Sequence, residues 1–236
     1  MEGLCSFKQT GHGDISRMVK VNEQLRFFEI IGAELDERTE CYAIGGSAMI
    51  FYGAKEETKD VDLVFLEKKD LEKVKGVLEK MGFRNKEELV KIFRRHENNK
   101  NRPIMMVGKN DEMFDLFFKE IITFEMSDTI VNRVTSTHEF GNLIVRVVSP
   151  EDIILLKCAT EREKDRIDAM SLIEKFDINW NVIIDEAVNQ TKLEFYLFPV
   201  YLYDFLEGLK EDFKADIPKE VLRKIRKIGV DLLVKK

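Results

Sequence analysis

Apolar positions recur at helical spacing from the first fifth of the chain, where Met18, Val21, Leu25, Phe28, Ile31 and Leu35 predict a helix over 15–35. A short apolar run over 41–44 reads as a buried strand that ends at Gly45-Gly46, and a brief helix over 47–52 stops at Gly53. The next strand, 60–66, is followed by an amphipathic helix over 69–81 on Leu71, Val74, Val77, Leu78 and Met81, closed by Gly82. Residues 87–93 read as a helical turn or a loop leading to a strand, and 121–124 is ambiguous. Two strands over 103–107 and 112–118 flank the turn Gly108-Lys109-Asn110-Asp111, and a hairpin joins 131–137 to 143–148 across Phe140-Gly141-Asn142. Ser149-Pro150-Glu151 then starts a helix, since serine caps free N–H groups and proline at the first helical position forfeits no needed donor. Strand signal mostly ends there: helices are predicted over 150–160, 163–176, 180–189, 193–209 and 218–234. The pattern implies an α+β region over 1–148, in which residues 1–16 are a loose lead-in, and a helical region over 149–236.

Chemistry concentrates on two of the strands. In Asp60-Val61-Asp62-Leu63-Val64-Phe65, residues two apart share a face, so Asp60 and Asp62 project together with Cα atoms roughly 6.5–7 Å apart. Like charges so close repel, and a cation is the usual remedy. Asp115 stands between Met113 and Phe117 on one strand face, where an unpaired charge is costly. It either accepts backbone hydrogen bonds at a bulge or joins the first pair on a neighbouring strand, and in the second case three carboxylates can hold two divalent ions. Gly45-Gly46-Ser47 at a helix start lets backbone N–H groups approach phosphate oxygens, with the Ser47 hydroxyl as a further donor.

Composition narrows the metal. Cys5, Cys41 and Cys158 lack any paired spacing, and His12, His96 and His138 are far apart. A transition-metal site on these residues is therefore disfavoured, and oxygen ligation points to Mg²⁺ or Mn²⁺. The unpaired cysteines fit a reducing cytoplasm, and no apolar run is long enough for a membrane span. With 44% hydrophobic and 35% charged residues the composition is that of a soluble globular protein, and the net charge of −6 argues against a general nucleic-acid coat but not against a local basic groove.

Taken together, Gly45, Gly46, Ser47, then Asp60 and Asp62 on a strand, then Asp115 on a later one, resemble the nucleotidyltransferase-fold proteins related to DNA polymerase β. The resemblance implies a mixed sheet flanked by helices and followed by a helical region, a nucleoside triphosphate such as ATP with two Mg²⁺ ions, and transfer of a nucleoside monophosphate to a hydroxyl. Asp60 and Asp62 would hold both ions, while Asp115 would assist one and help deprotonate the acceptor. Thr58-Lys59-Asp60-Val61-Asp62-Leu63-Val64 and the stretch from Ser149 to Lys157 look most like the stand-alone prokaryotic group that includes AbiEii-type toxins. There Lys157 would meet triphosphate oxygens, and Lys164-Asp165-Arg166-Ile167-Asp168 resembles that group's later lysine-aspartate motif. This sequence departs from several relatives in having Lys55 as the first cation after the glycines.

The acceptor stays open at this level: an RNA end such as that of tRNA, a protein hydroxyl in a toxin–antitoxin or defence setting, or a small aminoglycoside-like molecule. A nucleotide-binding module without turnover is the rival of another class. The final helix carries Lys219, Arg223, Lys224, Arg226, Lys227, Lys235 and Lys236, either a solvated face or an RNA contact. The aromatic run 195–203 reads as helix packing or the interface of a homodimer.

Overall fold

The computed structural model describes residues 17–86, 102–160 and 162–234. It opens on β1 (Val19–Lys20) and α1 (Val21–Glu34), whose Phe28 and Ile31 are buried. The helix starts later than its apolar spacing predicts because Val19 and Lys20 pair with Glu57 and Thr58 of β3. Next come β2 (Thr39–Ala43), α2 (Gly45–Phe51), β3 (Glu57–Thr58), β4 (Asp60–Phe65) and α3 (Lys68–Lys80). The expected element at 87–93, the lead-in at 1–16, Cys5 and the final two lysines lie outside the described residues.

Beyond β5 (Arg84–Asn85), strands β6 (Ile104–Val107) and β7 (Met113–Phe118) form the expected antiparallel pair. The ambiguous 121–124 segment is a small hairpin, β8 (Glu120–Ile121) with β9 (Phe124–Glu125). The strand predicted at 131–137 is a correction: 128–132 form the short helix α4 (Asp128–Asn132), and the strand β10 (Ser136–Phe140) begins later. Ser127 Oγ accepts the Ile130 N–H at 3.4 Å, a cap that outweighs the strand preference of Ile130 and Val131. The hairpin partner β11 (Leu143–Val147) stands where expected.

The helical part comprises α5 (Pro150–Thr160), α6 (Glu163–Lys175), α7 (Trp180–Lys192), α8 (Phe198–Asp212) and α9 (Lys219–Val234). At the start of α5, Ser149 Oγ accepts the Asp152 N–H at 3.2 Å, as the cap reading requires. The helix predicted from 193 begins at Phe198, since Glu194 takes φ +76, outside the right-handed helical region.

Among the described residues the central sheet runs β10-β11-β2-β4-β7-β6-β5. Its orientation is mixed: β4 is antiparallel to β2 and parallel to β7. The two faces bury different partners. Val61, Leu63 and Phe65, with Phe114 and Leu116, pack beneath α1 and α3. Val64, Phe117 and Tyr42 on the other face share one core with Ile153 and Ile154 of α5, Ile183 of α7 and Leu202 of α8. The helical part is therefore seated directly on the sheet, and it covers the face that carries the aspartates. Cys41 and Cys158 are buried and unbridged, and among the described residues no helix is long and apolar enough to cross a membrane.

Candidate active site

At the start of β4 the face that becomes core at Val64 carries Asp60 and Asp62 instead. The parallel register sets Asp62 opposite Asp115 and Val64 opposite Phe117, so the continuous ladder, not a bulge, accommodates Asp115. On the far side of β7, Met105 pairs with Asp115. Asp62, Asp115 and Met105 thus form one row across three strands, with Asp60 one step along on the same face.

This row borders a cavity of about 580 Å³ that also touches Gly45, Gly46, Lys55, Thr58, Lys157, Arg162, Lys164, Asp165 and Asp168. Burial, then the charges of Asp115 and Asp60, push the Asp62 carboxyl well above the usual range, against the pull of Lys157 and Arg162. Burial and Asp60 likewise raise Asp115 to about 7. Asp115 Oδ1 is buried and accepts no hydrogen bond from the described residues. Such oxygen donors suit a hard divalent cation. Among the described residues no group of three or more His, Cys, Asp or Glu side chains is arranged to hold a metal ion, and the row offers its carboxylates along one edge of the cavity.

The glycine pair has a packing task that its sequence does not show. Gly45 takes φ +53, and a Cβ there would stand 2.8 Å from Asp62 Oδ2. A Cβ on Gly46 would come within 2.2 Å of Thr58 Oγ1. The two glycines make room for the Asp62 carboxylate and the Thr58 hydroxyl, and both still line the cavity. Ser47 is fully buried and away from the cavity lining. Its Oγ accepts the Asp62 N–H at 2.9 Å and so fixes the backbone of the aspartate strand.

Lys157 reaches the cavity wall as a paired cation. Its Nζ donates to Asp165 Oδ1 at 2.8 Å and Asp168 Oδ2 at 2.6 Å. Burial disfavours the ammonium, but Asp168 and Asp165 outweigh it and raise the Lys157 pKa. Asp168 also accepts Lys55 Nζ at 2.7 Å, and Asp165 accepts Arg162 Nε at 3.0 Å. A chain Lys55–Asp168–Lys157–Asp165–Arg162 therefore ties the loop after α2 to α5 and α6. Lys164 also lines the cavity, and burial and Arg162 lower its pKa. Sequence reasoning picked out Asp165 and Asp168 only within the Lys164–Asp168 stretch that resembles a family motif, and did not select Lys55, Arg162 or Thr58 as site residues. The i, i+3 spacing of Asp165 and Asp168 was the available signal, but it did not show that both acids turn toward Lys157.

The aromatic run divides: Phe198 and Leu202 enter the core, while Tyr201 is exposed. On α9, Val221 and Ile225 are buried and the lysines and arginines face outward.

No curated protein matches the chain significantly. Among solved structures, it is similar to a candidate nucleotidyltransferase from H. pylori (16% identity, 91% of this chain and 92% of that one, TM-score 0.40). It is also similar to an antigenic nucleotidyltransferase-like protein from Paracoccidioides brasiliensis (15% identity, 89% and 95% covered, TM-score 0.44). These likenesses are too distant to carry weight. The family model described as "Nucleotidyltransferase of unknown function (DUF6036)" matches residues 16–198, most of the chain and all of the cavity's residues, and the protein belongs to that nucleotidyltransferase family.

Proposed function

We propose that the protein transfers a nucleoside monophosphate from a nucleoside triphosphate to an acceptor hydroxyl, with Mg²⁺ or Mn²⁺ held by Asp60, Asp62 and Asp115. The observation that carries this reading is the cavity in which that carboxylate row faces Lys55, Lys157, Arg162 and Lys164. A bound divalent ion supplies charge stabilisation to the attacking and leaving oxygens. The cations opposite favour the triphosphate end of the substrate, and Gly45 and Gly46 present backbone without a side chain in the way. Asp115, with a pKa raised to about 7 and an Oδ1 that accepts no hydrogen bond from the described residues, is suited to take the proton of the acceptor hydroxyl. That oxygen then bonds the α-phosphorus while the bond to the pyrophosphate oxygen breaks.

The likeness of 58–64 and 149–157 to AbiEii-type proteins directs the acceptor toward an RNA end, such as that of tRNA, or a protein hydroxyl, and the outward basic face of α9 favours RNA. The test is incubation with each labelled triphosphate, Mg²⁺ and total cellular RNA, then total protein and a panel of aminoglycosides. Label in RNA that disappears in Asp60→Ala and Asp62→Ala supports the reading. Label only in an aminoglycoside reassigns the acceptor. Metal-dependent triphosphate binding with no pyrophosphate release under any condition identifies a binding module and overturns the proposal.

A further inference from the structure

One carboxylate on the cavity wall is explained neither by the aspartate row nor by the helix that carries it. Asp165 and Asp168 stand about one turn apart on α6, and both line the cavity. Asp165 serves the helix itself, since its Oδ2 accepts the Arg162 N–H at 3.2 Å and closes the first turn. Each hydrogen bond of the Asp168 carboxylate, in contrast, reaches outside α6. Lys55 Nζ, on the loop after α2, donates to Oδ1 at 2.7 Å and to Oδ2 at 2.9 Å. Lys157 Nζ, on α5, donates to the same Oδ2 at 2.6 Å. Two ammonium groups therefore share one oxygen.

Like charges so close repel, and the carboxylate between them is what keeps both in place. Burial pushes the Asp168 carboxyl up, but Lys157 and Lys55 outweigh it and bring it below its usual range, so it stays ionised. Both of its oxygens are engaged by cations, whereas Asp115 Oδ1 accepts no hydrogen bond from the described residues. The two lysines depend on Asp168 unequally. Lys157 is nearly fully buried, and Asp165 Oδ1 holds its Nζ a second time at 2.8 Å. Lys55 pairs with no other carboxylate among the described residues, and its side chain is partly exposed. A long side chain held at one point regains its rotamer freedom when that point is removed.

We infer that Asp168 is a positioning residue, which holds Lys55 beside Lys157 and so sets the spacing at which the two ammonium groups meet a polyphosphate. The inference rests on the nucleotidyltransferase reading above. It gives the acid a sign opposite to its charge: an anionic side chain beside an anion site strengthens binding there, because the cations it orders gain more than its own repulsion costs.

Calorimetry of the full chain with inorganic tripolyphosphate and Mg²⁺ tests this. Asp168→Asn keeps the side-chain shape and leaves the wall one charge more positive, which by attraction alone tightens tripolyphosphate binding. Positioning predicts the reverse, a loss of about tenfold. Asp168→Glu, which keeps the charge on a longer arm, should fall between wild type and Asp168→Asn. Lys55→Met alters a partly exposed loop side chain, so it should melt near wild type, and it too should lose about tenfold. Adding Asp168→Asn to it should then cost less than about threefold more, since both changes remove the same arrangement. Unchanged or tighter binding by Asp168→Asn overturns the positioning role and leaves the nucleotidyltransferase reading standing, and a lower melting temperature with unchanged affinity counts as that outcome. Wild-type affinity in Lys55→Met overturns the role equally, and this variant decides if Asp168→Asn does not fold. Tripolyphosphate that does not bind the wild-type chain removes both readings.

Discussion

Two groups of buried acids in this protein are treated in opposite ways. Asp152 and Glu186, on α5 and α7, are almost fully enclosed, and both are hydrogen-bonded. Arg133 Nε donates to both Asp152 oxygens at 3.0 and 2.9 Å, and its terminal nitrogen reaches Glu186 Oε2 at 2.9 Å. Ser149 completes Asp152, while Ser127 and Gln190 complete Glu186. Burial raises Asp152 against the pull of Arg133 and Ser149, whereas for Glu186 the hydrogen bonds, led by Thr129, outweigh burial and lower its pKa. On the sheet, Asp62 and Asp115 face each other with pKa values raised by burial and mutual charge. The first group spends its charge on tying α5 and α7 to Arg133, just after α4. The second is left with raised pKa values although Lys157, Arg162 and Lys164 pull the other way, and carboxylates in that condition are available to a ligand.

The contrast can be broken first at Arg133. Arg133→Met strands two enclosed acids and should lower the unfolding free energy by about 3–5 kcal/mol in urea titration. A loss under about 1 kcal/mol would show that the network is not compensating them. Asp62→Asn should do the reverse, leaving stability equal or higher because a repelling charge is gone, while nucleotidyl transfer falls at least about a hundredfold. Equal transfer in the variant would remove Asp62 from the site.

Smaller effects sharpen the picture. Gly46→Ala places a Cβ against Thr58 and should cost about 1–3 kcal/mol, largely recovered by adding Thr58→Ala. Asp115 offers a pH test in metal-free buffer. Its folded pKa is raised, so between about pH 4 and 7 the folded state binds more protons than the unfolded chain, and stability falls as pH rises through that window. Asp115→Asn should therefore gain on wild type across it, by on the order of 1–2 kcal/mol. At the bottom of the scale, Arg38 and Glu139 form an ion pair with both side chains more than half exposed, and Arg38→Ala should change stability by less than about 0.5 kcal/mol.

The aspartate row was legible in the chain because period-two alternation assigns faces without knowledge of the fold. Asp115 stood out for a second reason: a carboxylate between Met113 and Phe117 on one strand face is costly unless a neighbouring strand brings it a partner. Helices α3 and α5 were equally plain, each with an apolar face and a clear stop or cap. What could not be read were relations across distance. Lys55 meets Asp168 over 113 positions, and no local rule links them. The packing of Gly45, Gly46 and Ser47 depends on which side chains lie over them, so the sequence did not show that the motif that suggests phosphate contact also holds Asp62 in position. At α4 the capping serine was present in the sequence, but the β-branched pair after it favoured the wrong element.

The core shared by the sheet and the helices has a consequence for variation. The helices after Val147 rest on Val64 and Phe117, the continuation of the same strands that carry Asp62 and Asp115. Changing side-chain volume at Leu202 or Ile183 thus moves the base on which the carboxylates stand. Substrate handling in this chain can drift through positions that touch no substrate, and exchanging the helices for those of another family member would transplant a different alignment of the acids along with them.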